Sequence, residues 1–295
     1  MIEYNSISQL VKTANEQKIT ISRLVLMDQA KDIGMAEDAL LVRMEEMLDV
    51  MIDSVKAGLK SDIRSTSGLT GGDGYRVLQY SSSGHMIGGN FCTKVISKAL
   101  AVAEYNASMG KIVAAPTAGA CGIVPAALLT MMEEHDIDKK KAVMALITAG
   151  AIGMVIANVA SISGAQGGCQ AECGSAAAMA AGAMVEMFGG TNDMIAESCA
   201  IAIKNQMGLV CDPVAGLVEV PCIKRNAGGV MCAICAADMA LAGVKSVIPI
   251  DEVVAAMREV GESIPAALRE TAQGGLATTP TGLILKEVII GKSNN

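Results

Sequence analysis

A chain of 295 residues with a net charge of −7 and an isoelectric point near 5.0 can bury a sizeable core, but it lacks the clustered Lys and Arg of a nucleic-acid partner. With two Phe, four Tyr and no Trp, it also lacks the aromatic belt expected at a membrane interface. The start, MIEYNSISQLVKTANEQK, has acids and polar residues where an export signal needs a basic start and an apolar run, so a cytoplasmic location is expected, and nine cysteines there read as buried thiols plus metal ligands rather than disulfides.

Two or three amphipathic helices are predicted over 5–60, in the stretches 7–17, 21–34 and 36–59, the last from Leu41, Met44, Met47, Leu48 and Met51 at 3–4-residue spacing, with Gly58 near its end. Two Gly/Ser-rich loops follow, at 67–76 and 81–90. Helical stretches are then expected near 91–109, 121–134, 140–160, 174–188, 193–207, 227–243 and 251–258, divided by Gly, Pro or Asn turns. The stretch 142–159 is apolar enough to span a bilayer, yet its Ala and Gly suit a helix packed inside a protein, so no membrane partner is expected. The β-branched runs at 111–116 and 218–223 do not alternate for long. An all-α fold is predicted, with the 20 Met residues filling irregular gaps in an Ala/Gly-rich core. It reads as a single domain over 1–295, an amphipathic helical extension (1–60) on an apolar body (61–295).

Three cysteines stand in unusual surroundings: Cys169 in GGCQAECG, ahead of a helix, and Cys211 and Cys222 in GLVCDPVAGLVEVPCIKRN. A thiol at a helix entrance meets free N–H groups that favour the thiolate a metal requires. Pro213, Pro221 and Gly216 shape the second segment so that both its sulfurs could face one point. Three protein thiolates would leave one metal position open for a substrate; on spacing alone, the alternative for each is a buried apolar thiol. Cys169-x3-Cys173 and Cys232-x2-Cys235 are also metal spacings. These partners read as core thiols, as do Cys92, Cys121 and Cys199, and a zinc or thiol protein using CAIC is the alternative from pattern alone.

Of the two histidines, His135 lies in a charged connection and reads as a solvated surface residue, whereas His85 in SSSGHMIGGN is flanked by residues that let backbone approach a ligand. Its imidazole is suited to orienting a carboxylate or moving a proton. Arg225 is placed either to clamp a carboxylate or to pair with Asp212 or Glu219, and Glu172 either to tune a metal or to cap the helix starting at 174.

The segments Gly168-Cys169-Gln170, Cys211-Asp212-Pro213-Val214-Ala215-Gly216 through Val220-Pro221-Cys222, and Arg225-Asn226 together resemble the alpha chain of the bacterial iron-sulfur-dependent L-serine dehydratases. PTAGACGIVP at 116–125 and SGHMIGGN at 83–90 are similar to further stretches of that family, and the resemblance covers nearly the whole chain. It implies conversion of L-serine to pyruvate and ammonia, with a [4Fe-4S] cluster on Cys169, Cys211 and Cys222 and an open iron as Lewis acid. His85 becomes the candidate base. Ser83, Asn90, Thr117, Gly119, Arg225 and Asn226 become candidate substrate contacts, Thr117 and the amides at 118–120 forming a small anion pocket. A separate beta chain is the implied partner in a hetero-oligomer. Lys224 stands where some members carry an acid, and the tail GKSNN has no cysteine to fill the fourth iron position. An iron-sulfur hydro-lyase for another hydroxy acid follows the same logic; a pyridoxal-phosphate dehydratase would need a Schiff-base lysine, a phosphate cradle and strands that are not read here.

Overall fold

The computed structural model describes residues 4–293. Thirteen α-helices occur among them: α1 (Ile7–Gln17), α2 (Ile21–Asp32), α3 (Glu37–Gly58), α4 (Asp73–Tyr80), α5 (Gly89–Ala107), α6 (Ile123–His135), α7 (Lys139–Val159), α8 (Gly164–Gly167), α9 (Ser175–Met187), α10 (Asn192–Gln206), α11 (Cys222–Leu241), α12 (Ile250–Ser263) and α13 (Pro280–Ser293). No named strand is found among the described residues, only a bridge between Cys211 and Arg269, so the all-α expectation holds. The runs at 111–116 and 218–223 form no strand.

Local chemistry sets the helix starts. Ser6, Thr20, Asp138 and Thr191 each accept a backbone N–H of the first turn through the side chain, satisfying donors that a helix leaves free. At the centre, α9 (SAAAMAAGAMVEM) packs against α7, α10 and α11. Its small side chains allow close approach: a Cβ on Gly182 would stand 2.4 Å from Ile152 Cδ1, inside van der Waals contact. The apolar α7 is the one described helix long and apolar enough to cross a membrane, but 67% of that stretch is buried against its neighbours, chiefly α9, α2 and α3. Glu186 of α9 is half-buried there and accepts from the Ser22 and Thr148 hydroxyls, which ties α2, α7 and α9 together; desolvation raises its carboxyl pKa. One apolar cluster runs from α1 through α12.

Three elements depart from the sequence expectation. The 67–76 loop ends early, because α4 starts at Asp73. Gly72 turns the chain at φ +79, and the buried Glu104 carboxylate accepts from Asp73 N (2.8 Å) and Gly74 N (3.1 Å), acting as a cap supplied from α5. Helix α11 starts at Cys222, five residues before the predicted 227, and α13 lies beyond every predicted helix. Helix α3 ends at Gly58 as expected.

Candidate active site

Three irregular turns meet at one end of α9 and α11. The first runs from α8 through a π-helical segment, Gln170–Gly174, into α9, with Cys169 at its entrance. The buried Gln170 pins this turn: its Nε2 donates to Met257 O (2.9 Å), its Oε1 accepts from Gly208 N (2.8 Å), and its own N–H goes to Leu209 O (2.9 Å). π-Segments of this kind are frequent at functional sites.

The second turn carries Cys211, whose N–H donates to Leu268 O (2.8 Å) and whose carbonyl accepts from Glu270 N (2.7 Å). The 266–271 segment is therefore stitched alongside it. The third is the start of α11 at Cys222. The fully buried Asn226 joins it to the 117–122 turn: Nδ2 donates to Gly119 O (2.8 Å) and Cys222 O (3.0 Å), and Oδ1 accepts from Gly122 N (2.8 Å). Asn226 thus spends its polar atoms on the backbone of the site.

The thiols of Cys169, Cys211 and Cys222 are unoxidised and only 2%, 2% and 6% exposed, and they lie close enough to act on one another electrostatically. Burial pushes the Cys211 thiol well up, reinforced by Cys169 and Glu172, and pushes Cys222 up to about 12. Cys169 moves the opposite way. The Cys173 thiol, 3.5 Å away, donates to it, and the Arg225 guanidinium beside it adds to the lowering. Arg225 is itself fixed by Val210 O (2.7 Å) and Asp212 (2.8 Å), and Asp212 accepts from Leu276 N (2.8 Å). The ion pair with Asp212, rather than with Glu219, is thus the one that forms.

Glu172 does not cap α9. Its carboxylate turns to Thr117, whose hydroxyl donates at 2.8 Å, and two glycines make room for it. A Cβ on Gly119 would stand 3.0 Å from Glu172 Oε1; one on Gly164 would stand 2.8 Å from Glu172 Oε2 and 2.9 Å from Cys211 Sγ. Burial raises its pKa. The surroundings of Gly164 are a cradle closed by any side chain.

Thr117, Gly119, Arg225 and Asn226 are therefore brought to the cysteine turns. Ser83, His85 and Asn90 lie instead on an exposed segment whose bonds are local: His85 N donates to Ser83 Oγ (3.2 Å) and Tyr80 donates to His85 O (2.9 Å). Gly164 and Glu270 are site residues that the sequence reading did not single out, and Gln170 entered it only as part of a motif; the glycine-rich run ahead of Cys169 was the available signal for the first. Of the cysteines read as core, Cys121, Cys173 and Cys199 are buried, whereas Cys92 near the start of α5 is half-buried, and on α11 Cys232 is half-buried and Cys235 exposed.

Among the described residues, no three His, Cys, Asp or Glu side chains converge around a single ion. A cluster spreads its thiolates over several irons, and a set of three buried free thiols beside a guanidinium suits it.

The model of the family "Serine dehydratase alpha chain" matches residues 16–277. The chain belongs to this family. It is 48% identical to the "Probable L-serine dehydratase, alpha chain" of Bacillus subtilis over 98% of its own length and 96% of that protein. It is 46% identical to the "L-serine dehydratase, alpha chain" of Peptoniphilus asaccharolyticus over 94% and 95%. The "L-serine dehydratase" of Streptomyces coelicolor is 46% identical over 61% of this chain, a match that occupies 40% of that longer protein. Membership in the family joins the cysteine turns to a dehydratase scaffold.

Proposed function

We propose that this chain is the cluster-bearing subunit of a cytoplasmic L-serine dehydratase, working with a separate beta chain to eliminate water from L-serine. The observation that carries the reading is the meeting of three buried thiols with Arg225 and Glu172 on turns held by Gln170 and Asn226. Cys169, Cys211 and Cys222 would hold a [4Fe-4S] cluster, which when bound supplies an open iron as Lewis acid for the serine hydroxyl.

The protein's own groups do the rest. Cys173 and, with it, Arg225 anchored by Asp212 lower the Cys169 thiol and so favour the thiolate that ligation needs. Thr117 orients Glu172, and Asn226 fixes the Gly119 turn against Cys222. In the reaction the Cα–H and Cβ–O bonds break, the proton passes to a base, and the resulting aminoacrylate tautomerises and hydrolyses to pyruvate and ammonia. His85 serves as that base in this reading, reaching the cysteine turns from the 81–90 segment once the beta chain and substrate are bound, with Ser83 and Asn90 completing the substrate contacts. A specific observation favours a second base, Glu172: it already stands at the site, half-buried, bonded to Thr117 and with a raised pKa, which suits a proton acceptor.

The test is an anaerobic assay of the alpha and beta chains together, following pyruvate from L-serine beside L-threonine and a small hydroxy acid, with His85→Ala and Glu172→Gln in parallel. Turnover of L-serine, with kcat lost in one of the two variants while the cluster absorbance stays, supports the reading and names the base. Turnover of the hydroxy acid instead would replace the substrate. An unaltered kcat in both variants would remove both bases.

A further inference from the structure

Helix α13 starts at Pro280, just past residue 277 where the family match ends. The Bacillus subtilis alpha chain nevertheless aligns over 98% of this chain, too large a share to omit a helix of 14 residues. α13 therefore lies beyond the matched stretch but within what a free-standing alpha chain shares.

The helix has one seated face. Gly282, Leu285 and Ile289 recur at i, i+3 and i+7 and are the less exposed positions, and a Cβ on Gly282 would stand 2.5 Å from Leu276 O. Through this face α13 rests on two turns, Val214–Gly216 and Gly275–Thr278. At 3.6 residues per turn, Ile284 and Val288 point the opposite way; they are 61% and 48% exposed. Leu283 and, on the turn beneath, Leu276 are exposed beside them. A helix that shows water a run of large apolar side chains marks a contact surface.

We propose that this outward face of α13, with Leu276, is where the beta chain docks. The inference rests on the reading that the chain works with a separate beta chain. Three observations favour that occupant. The surface is continuous with the candidate site: the Val214–Gly216 turn lies between Cys211 and Cys222, and Leu276 N donates to the Asp212 that holds Arg225. The longer Streptomyces coelicolor relative, in which the matched part is 40% of the length, carries its remaining residues in one polypeptide, so a free alpha chain must gain any counterpart by docking. And α13, beyond the residues that the family model matches, falls within what the free-standing Bacillus subtilis alpha chain aligns with. Lys286 and Glu287, exposed beside the apolar stripe, supply the polar rim such an interface needs.

The experiment titrates purified beta chain onto the full-length alpha chain, reconstituted with its cluster under anaerobic conditions, and reads affinity by sedimentation. The variants are Ile284→Glu, Val288→Glu and the milder Ile284→Ser, with Val42→Glu on exposed α3 as control. The expected result is a loss of affinity of about tenfold or more in both Glu variants and a smaller loss in Ile284→Ser, with Val42→Glu and every cluster spectrum unchanged. Full beta-chain affinity in the α13 variants would overturn the proposal. So would loss of an alpha–alpha dimer with beta-chain binding intact, which would make the face a contact between two copies of this chain. If the unmutated chain binds no beta chain at all, the reading beneath the proposal fails with it.

Discussion

The packing of α7, α9 and α10 and the three cysteine turns are built from the same small residues to opposite ends. In the helices, Ala and Gly remove side-chain bulk so that regular backbones close on one another, and the polar groups inside, such as Glu186 with Ser22 and Thr148, are bonded to side chains of neighbouring helices. In the turns, glycine opens space beside functional atoms: Gly164 beside Cys211 and Glu172, Gly119 beside Glu172. Backbone conformation follows the same division, with Ala215, Glu270 and Ala272 at positive φ in or beside the turns and none in α7, α9 or α10. A glycine in the first region is needed for stability, and one in the second for chemistry.

Substitutions that separate those two uses test the distinction. The largest effect is expected from Gly58→Val in α3, which closes on α5 through the same absence of side-chain bulk: a Cβ would sit 2.0 Å from the backbone oxygen of Ala101; neither helix can yield locally, so a stability loss above about 3 kcal/mol is expected in thermal or urea unfolding. Gly164→Ala should do the reverse. The atoms it meets are the ends of the Glu172 and Cys211 side chains, which can swing aside, so the melting temperature should hold while serine turnover falls roughly tenfold to a hundredfold. An equal loss of stability in both variants would erase the distinction.

Arg225→Lys sharpens the electrostatic half of the comparison. Arg225 lowers the Cys169 thiol, so replacing its fork by a single ammonium should move Cys169 alkylation in the metal-free chain to higher pH. An unmoved alkylation profile would assign the lowering to Cys173 alone. The smallest effect is expected at Cys235→Ser, on the exposed side of α11: stability within about 0.5 kcal/mol and an unchanged cluster spectrum, whereas a zinc or thiol role for CAIC requires a loss.

The sequence was most readable where one helix determines its own pattern. The spacing of Leu41, Met44, Leu48 and Met51 and the end at Gly58 both match α3, and the Ala/Gly content of 142–159 marked α7 as a packed helix. What escaped depends on partners far along the chain. Helix α4 begins in a glycine-rich stretch because Glu104, about 30 residues on, accepts its first amides. Glu172 sits three residues after Cys169, yet its direction is set by Thr117, at a separation of 55 residues. In the candidate site the three cysteines stood out in the sequence by their Gly- and Pro-shaped turns, and the fold brings those turns together. The 81–90 segment read as a ligand loop from its composition and from the family resemblance, neither of which carries information about which face of the fold a loop occupies; His85 stands exposed.

The most direct measurement is the anaerobic visible and EPR spectrum of the chain after reconstitution with iron and sulfide, beside Cys169→Ser, Cys211→Ser and Cys222→Ser, before and after brief exposure to air. A broad brown absorbance that bleaches in air and is lost in each variant, with circular dichroism unchanged, is the predicted result. No cluster in the unmutated chain, or one that survives all three substitutions, would contradict the assignment of these turns as the active centre.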